Sequence, residues 1–386
     1  MDIVKLKDLT VDGKGTYGVA APAVEYQENL PTYLRITDIL DDGTLNLSEL
    51  KSVKVPDSER YMLRPNDIVF ARTGGSTGRN YFYDGTDGAF VYAGFLIKFS
   101  LDPKKVNPKF IKYFCQSEQY KQWVRSFNTG STRGNINAQT FGNMEIALPG
   151  RKQQDHLVSI LESIGKKIKL NKKINDNLEQ QTAALFSSLY NRSNTEVRYT
   201  DLIQILGGGT PKTGEPAYWN GNIAFFTPKD VGAPYTFITE KTITEEGLSH
   251  CNSRLYPVNT VFVTARGTVG KVGLSGVPMA MNQSCYALVG KETHQLLVYF
   301  YTLKAVDRLK HKASGAVFDA ITTRDFDSEQ IMKLSDDDAK AFLCVAEPMF
   351  QEILNNSIEN LRLSTLRDFL LPKLMTGEID VSSVQL

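Results

Sequence analysis

Nothing in this 386-residue chain clusters in the way that a metal site or a disulfide framework requires. Its four cysteines, Cys115, Cys251, Cys285 and Cys344, are scattered with no CxxC spacing and read as reduced packing residues. His156, His250, His294 and His311 fall in no ligand spacing, so no metal is expected. Charge of one sign is missing as well. A net charge of +1 excludes the strongly basic class of nucleic-acid binder, so any such contact must rest on local patches or on another subunit. No apolar run approaches the roughly 20 residues that cross a bilayer, and the opening "MDIVKLKDLT" has no signal-peptide core. A cytoplasmic location is the expectation, with no membrane partner.

What the chain does have is a copy of itself. Shifted by 192 residues, "YLRITDI" (33 to 39) falls on "FFTPKDV" (225 to 231), with Asp38 over Asp230. The same shift lays Gly15, Tyr26, Leu63, Pro65, Val69, Phe70, Gly75 and Gly78 on identical residues, and Arg79 on Lys271. A shift of 185 then matches Ile136, Phe141 and Ile146 to Ile321, Phe326 and Ile331. Each half is therefore one mixed domain of about 150 residues, a size typical of single domains. Runs such as "DIVFAR", "AFVYAGFLIKF", "NTVFVTA" and "CYALV" are β-branched or aromatic and read as strands. A helix follows in each half, over "PKFIKYFCQSEQYKQWVRSF" and "HQLLVYFYTLKAVDRLKHK".

After each domain the period changes. Leu157, Leu161, Ile164, Ile168, Asn171, Asn175, Leu178, Thr182, Leu185 and Leu189 alternate by four and three, which is a coiled-coil seam. The second copy runs Phe342, Ala346, Met349, Ile353, Asn356, Asn360, Leu363, Arg367, Leu370 and Leu374. A seam alone describes any amphipathic helix on its own domain, but asparagine at seam positions selects a partner, because each buried amide needs another polar group. Placed antiparallel, Asn171 faces Asn360 and Asn175 faces Asn356. Two helices of about 33 residues, at 1.5 Å each, make a spacer of roughly 50 Å with a domain at each end.

The repeated loops, "FARTGGSTGR" (70 to 79) and "FVTARGTVGK" (262 to 271), look like phosphate cradles. Spacing excludes the Walker type. The required first glycine is Thr73 in one copy and Ala265 in the other, and the magnesium-binding hydroxyl is Asn80 or Val272. The dinucleotide fingerprint fails at the same two places, and no methyltransferase or nucleophile-elbow motif occurs. Such loops read either as solvated turns or as backbone held against a polyanion. Arg72, Thr73, Ser76, Thr77 and Arg79, and in the second copy Thr264, Arg266, Thr268 and Lys271, are residue types that contact phosphates and base edges.

At this point the chain resembles the specificity subunit of type I restriction-modification systems over essentially its whole length. The likeness lies in "GGGTPKTGEPAYWNGNIAFFTPKDV" (207 to 231), "TARGTVGKVG" (264 to 273), "GNINAQTFGNMEIALP" (134 to 149) and "LRDFLLPKLMTGEI" (366 to 379). The first copy departs from the pattern at "GKGTYGVAAPAVEYQENL" (13 to 30), and the second lacks the usual proline after Phe326. The resemblance implies an α+β fold: two pseudo-symmetric mixed target recognition domains joined by two long antiparallel helices that form a coiled coil. Residues 1–150 and 193–335 are the expected recognition domains, 151–192 the first spacer helix, and 336–386 the second helix and tail. It also implies a chain without catalysis of its own, reading a bipartite double-stranded DNA site. Two methyltransferase subunits would dock on it and bind S-adenosylmethionine, and restriction or translocase subunits can join. Arg133, Asn135, Asn137, Lys229, Thr322 and Arg324 become further candidate contacts. The rival readings are an enzyme with a fused recognition domain and a duplicated protein-interaction adaptor.

Overall fold

The computed structural model describes residues 2–127, 134–232, 234–312 and 320–379. The chain divides into two compact units, residues 1–167 with 363–386, and residues 168–362. Each unit thus contains the start or end of both long helices, so the division falls mid-helix and not at 150 or 335.

In the first unit the strands Thr16–Tyr17, Leu96–Ser100, Asp67–Ala71 and Asn80–Tyr83 form an antiparallel sheet in that order. Ala23–Glu25, Lys51–Val53, Thr32–Leu34 and Phe90–Tyr92 form a second sheet, whose last pair is parallel. The run "AFVYAGFLIKF" is two strands, because the chain turns at Ala93–Leu96, where Leu96 N–H donates to the Ala93 carbonyl at 2.8 Å. The helical run after residue 107 also breaks. Pro108–Phe114 is capped by Asn107, and Ser117 caps a new helix over Glu118–Arg125. Leu6, Phe70, Phe99, Phe110, Phe141, Leu157, Leu161 and Leu374 share one core, which joins sheet, short helices and both long helices of this unit.

The second unit repeats the plan with different lengths. Ile203–Gly207, Cys285–Gly290, Val261–Thr264, Val272–Ser275 and Tyr235–Thr236 form a five-stranded sheet. A three-stranded sheet holds Lys241–Ile243, Trp219–Phe226 and Met279–Met281. Here the following helix, Gln295–Lys312, is unbroken. Repeated residues mark repeated backbone needs. Asp38 accepts Arg35 N–H and Asp230 accepts Thr227 N–H, both at 2.8 Å, so the shared aspartate closes the same turn. Asn66 and Asn259, each before the central strand, both take positive φ, which asparagine tolerates better than most residues.

The two long helices cover Arg151–Arg192 and Asp336–Thr376. In the second unit they run antiparallel. Asn171 Nδ2 donates to Asn360 Oδ1 at 3.0 Å, and Asn356 Nδ2 donates to Asn175 Oδ1 at 3.0 Å. Seven residues on, the Thr182 hydroxyl reaches Met349 Sδ at 3.3 Å, as one unbroken register requires. Asn171 also donates to Glu359 at 2.6 Å, and Asn175 to Ser357 at 3.2 Å. In the first unit the helix Arg151–Arg192 is pinned at Glu162, which receives Lys109 at 2.5 Å, Lys112 at 3.1 Å and the Tyr113 hydroxyl at 2.8 Å. Burial opposes the charge on Glu162, but these donors outweigh it and pull the carboxyl from its ordinary value of 4.5 down to about 2.

Two stability tests follow. Gly78 has a φ of +85°, and an added Cβ would lie 2.4 Å from Val124 Cγ1, whereas Gly75 has open space. Thermal melting should therefore show Gly78→Ala destabilised by about 1–3 kcal/mol and Gly75→Ala close to wild type. Glu162→Gln should cost about 1–2 kcal/mol at neutral pH, the partial exposure of the site limiting the loss. Because the folded carboxyl titrates below the unfolded one, that contribution is full above about pH 5 and fades as pH falls towards 2. The two melting curves should converge over that range in acid titration.

Candidate nucleic-acid interface

Each glycine loop grows out of the central strand of its sheet and is closed on itself by the same bonds. Ala71 N–H donates to Arg79 O at 2.8 Å and Gly78 N–H to Ala71 O at 2.9 Å. In the second unit Thr264 N–H donates to Lys271 O at 3.0 Å and Gly270 N–H to Thr264 O at 2.9 Å. Gly74 and Gly78, and Gly267 and Gly270, carry the positive φ values these turns need. The first loop therefore has one residue more between its turning glycines, and Gly74, not Gly75, stands where Gly267 does.

A distant segment docks on each loop in the same way. Ile136 N–H donates to Arg72 O, and Ile321 N–H to Ala265 O, both at 2.9 Å. Bridges between Thr73 and Asn135 and between Arg266 and Ala320 complete the frame. Ile136 and Ile321 are buried and anchor the docked segment. The next residues start a short helix in each unit: Asn137 caps Ala138–Gly142, and Thr322 caps Thr323–Asp327 in a capping box with Asp325. The sequence candidates of each half are thus gathered, loop beside helix start, from positions more than 50 residues apart.

Within that frame the side chains do different work. Arg72 lies 5.1 Å over the Tyr17 ring and its Nε donates to Asn135 Oδ1 at 3.4 Å. Arg79 is tied back to its own domain at the surface: Nε donates to Asp41 at 2.7 Å and Nη1 to the Ile39 carbonyl at 3.1 Å. Thr77 donates to Gly74 O and Gly134 O, while Thr73 and Ser76 are half-buried on the loop. Thr264 is fully buried and its hydroxyl bonds Thr268 O and accepts from Lys271 N–H, so it shapes the loop from inside and presents nothing at the surface. Arg266, Thr268, Lys271, Thr322 and Arg324 are exposed. Lys229, also exposed, sits 3.6 Å from Glu240 in an ion pair. Arg133 lies outside the described residues. Among the described residues no group of three or more His, Cys, Asp or Glu side chains is placed to hold a metal ion, and no helix is long and apolar enough to cross a membrane.

Residue spacing gave no sign of Tyr17 and Phe95. Tyr17 reaches the loop through the strand Leu96–Ser100, pairing with Ile97, and its hydroxyl accepts Ala138 N–H at 3.1 Å. The Phe95 carbonyl accepts Arg72 N–H at 3.0 Å. Only an apolar residue beside a turning glycine, in "YAGFL", hints at it.

The contrast between the two cationic loop ends is testable. Arg79→Ala removes a bond that ties residues 39–41 to the loop and should lower thermal stability by about 1 kcal/mol, while Lys271→Ala should stay within about 0.5 kcal/mol of wild type. Equal losses in thermal melts would contradict the geometry.

The family model described as "Type I restriction modification DNA specificity domain" matches residues 3–180 and again 191–333. The chain is similar to the HindI specificity subunit of Haemophilus influenzae, at 22% identity over 90% of this chain and 94% of that one. Over 31% of this chain and 29% of the relative it is 32% identical to the MjaIX specificity subunit of Methanocaldococcus jannaschii. Its fold is similar to that of the type I restriction-modification S subunit from M. genitalium, with a TM-score of 0.59 at 15% identity, covering 97% of this chain and 95% of that one. With the matched model spanning both halves, and the loop frame built once in each, the chain belongs to the family of type I restriction-modification specificity subunits and carries two recognition domains.

Proposed function

We propose that this chain reads a bipartite double-stranded DNA site, one half per recognition domain, as a non-catalytic subunit of a complex in which two methyltransferase subunits bind S-adenosylmethionine and modify adenine. One observation carries this reading. The same backbone frame is built twice, yet the side chains on it differ: Arg72, Thr73 and Asn135 stand where the second unit has Ala265, Arg266 and Ala320. Equal frames with unequal contacts suit two half-sites of different sequence, since phosphate contacts position a protein and base contacts specify. The paired helices set the number of base pairs between the half-sites, and their outer faces receive the methyltransferases; restriction or translocase subunits can join the assembly. A net charge of +1 fits a division of labour in which the partners supply much of the phosphate grip.

Methylated adenines mapped in host DNA with and without this gene should reveal a bipartite motif that disappears with the gene; an unchanged map would refute the reading. Purified alone, the chain should bind DNA weakly, with a shallower dependence on salt than the assembled complex, because it neutralises fewer phosphates by itself; tight, sequence-specific binding by the chain alone would contradict the division of labour. The helix pair has its own readout. Asn171→Leu combined with Asn360→Leu should relax the register and alter either half-site spacing or assembly with the methyltransferase, measured by motif mapping and sedimentation.

A further inference from the structure

Three positions that occupy equivalent places in the two loop frames carry opposite chemistry. In the first unit Tyr17 and Phe70 flank Ile97 across two ladders, as Gly207 and Val263 flank Tyr286 in the second. Arg72 and Ala265 share the bond that receives Ile136 or Ile321. Phe95 and Ser284 are the residues whose carbonyls accept the N–H groups of Arg72 and Ala265, at 3.0 and 2.8 Å. The first unit therefore places a tyrosine, an arginine and a phenylalanine where the second places glycine, alanine and serine.

Arg72 and Tyr17 are in side-chain contact, and Phe95 is tied to Arg72 through its backbone carbonyl. Phe95 is 59% exposed at the third position of the turn Ala93–Leu96, beside an arginine and a 43% exposed tyrosine. The Tyr17 ring and Asn135 Oδ1 hold the Arg72 guanidinium from two sides, and neither contact occupies its two Nη nitrogens. A guanidinium fixed in this way loses little further freedom on forming two parallel bonds, the arrangement that matches O6 and N7 of guanine in the major groove. An adjoining exposed phenyl ring fits the apolar edge offered there by the thymine methyl group.

Resting on the DNA-reading role above, we propose that Tyr17, Arg72 and Phe95 form a base-reading head confined to the first recognition domain, in which Arg72 takes a guanine and Phe95 the methyl group of a neighbouring thymine. Tyr17 acts as a positioning residue for the guanidinium. The second domain reads its half-site without such a head, so the half-sites differ in how they are read as well as in sequence.

The test uses the complex assembled with its methyltransferase subunits and DNA carrying the mapped motif. Arg72→Lys keeps the charge and removes the fork, so it should relax one guanine position in one half-site by about 10- to 100-fold and leave the other half-site unchanged. Phe95→Ala should cut the preference for thymine over uracil beside that guanine by about 4-fold, the worth of one buried methyl group. Tyr17→Leu should weaken guanine selection without moving it. Wild-type discrimination at every position in the Arg72→Lys complex, or relaxation in both half-sites, overturns the head while leaving the bipartite reading intact. A wild-type complex with no bipartite motif overturns both.

Discussion

A buried side-chain amide has no water to fall back on, and this constraint sets the alignment of the two long helices. Asn171 is fully buried and Asn356 nearly so; each donates from Nδ2 to an asparagine on the other helix, while Asn171 Oδ1 has no partner among the described residues. A slip of one turn would still match one asparagine from each helix but leave the other two facing apolar layers, Ile353 and Ile168 or Leu363 and Leu178, at a cost of about 1–3 kcal/mol for each unpaired group. Leucine layers would bind more strongly but would tolerate slippage. The seam gives up some stability here and gains a single alignment, and every side chain that packs on these helices inherits it. Leu157, Leu161, Leu371 and Leu374 belong to the core of the first unit, and Phe342, Phe350 and Ile353 to that of the second.

A second constraint operates at the loops. The frame that the two loops share consists of backbone bonds, from Ala71, Gly78 and Ile136 in one unit and Thr264, Gly270 and Ile321 in the other, to which the Thr77 and Thr264 hydroxyls add bonds of their own. Backbone bonds ask little of side-chain identity apart from glycine where φ is positive, so the surface positions are free to differ between copies. Function can vary on a frame of this kind without loss of the fold.

The repeat, the two long helices and the asparagine pairing could be read from residue order because each rests on a period or an identity within the chain. The boundaries of the first long helix coincide with those expected, 151 and 192. Other features depend on groups far away in sequence. Arg79 looks like a free cation until Asp41, 38 residues earlier, is brought to it. Thr264 looks like a surface hydroxyl until the loop closes over it. The helix expected across 108–127 is split by Ser117, whose capping strength competes with an apolar period that runs through it. Phe95 gave almost no signal, since a single apolar residue next to a glycine is common in turns and strand ends alike.

The mid-helix division of the chain has a consequence for synthesis. Residues 168–362 form a continuous unit, so the second recognition domain has all its parts once that stretch has left the ribosome. The first unit is discontinuous: its core includes Leu371, Leu374 and Met375, which follow the whole of the second unit in sequence. Domains usually fold in the order in which they are made. Here the domain that begins first is completed after the second, and its apolar seam at Leu157 and Leu161 stays open until residues 371–375 have been made.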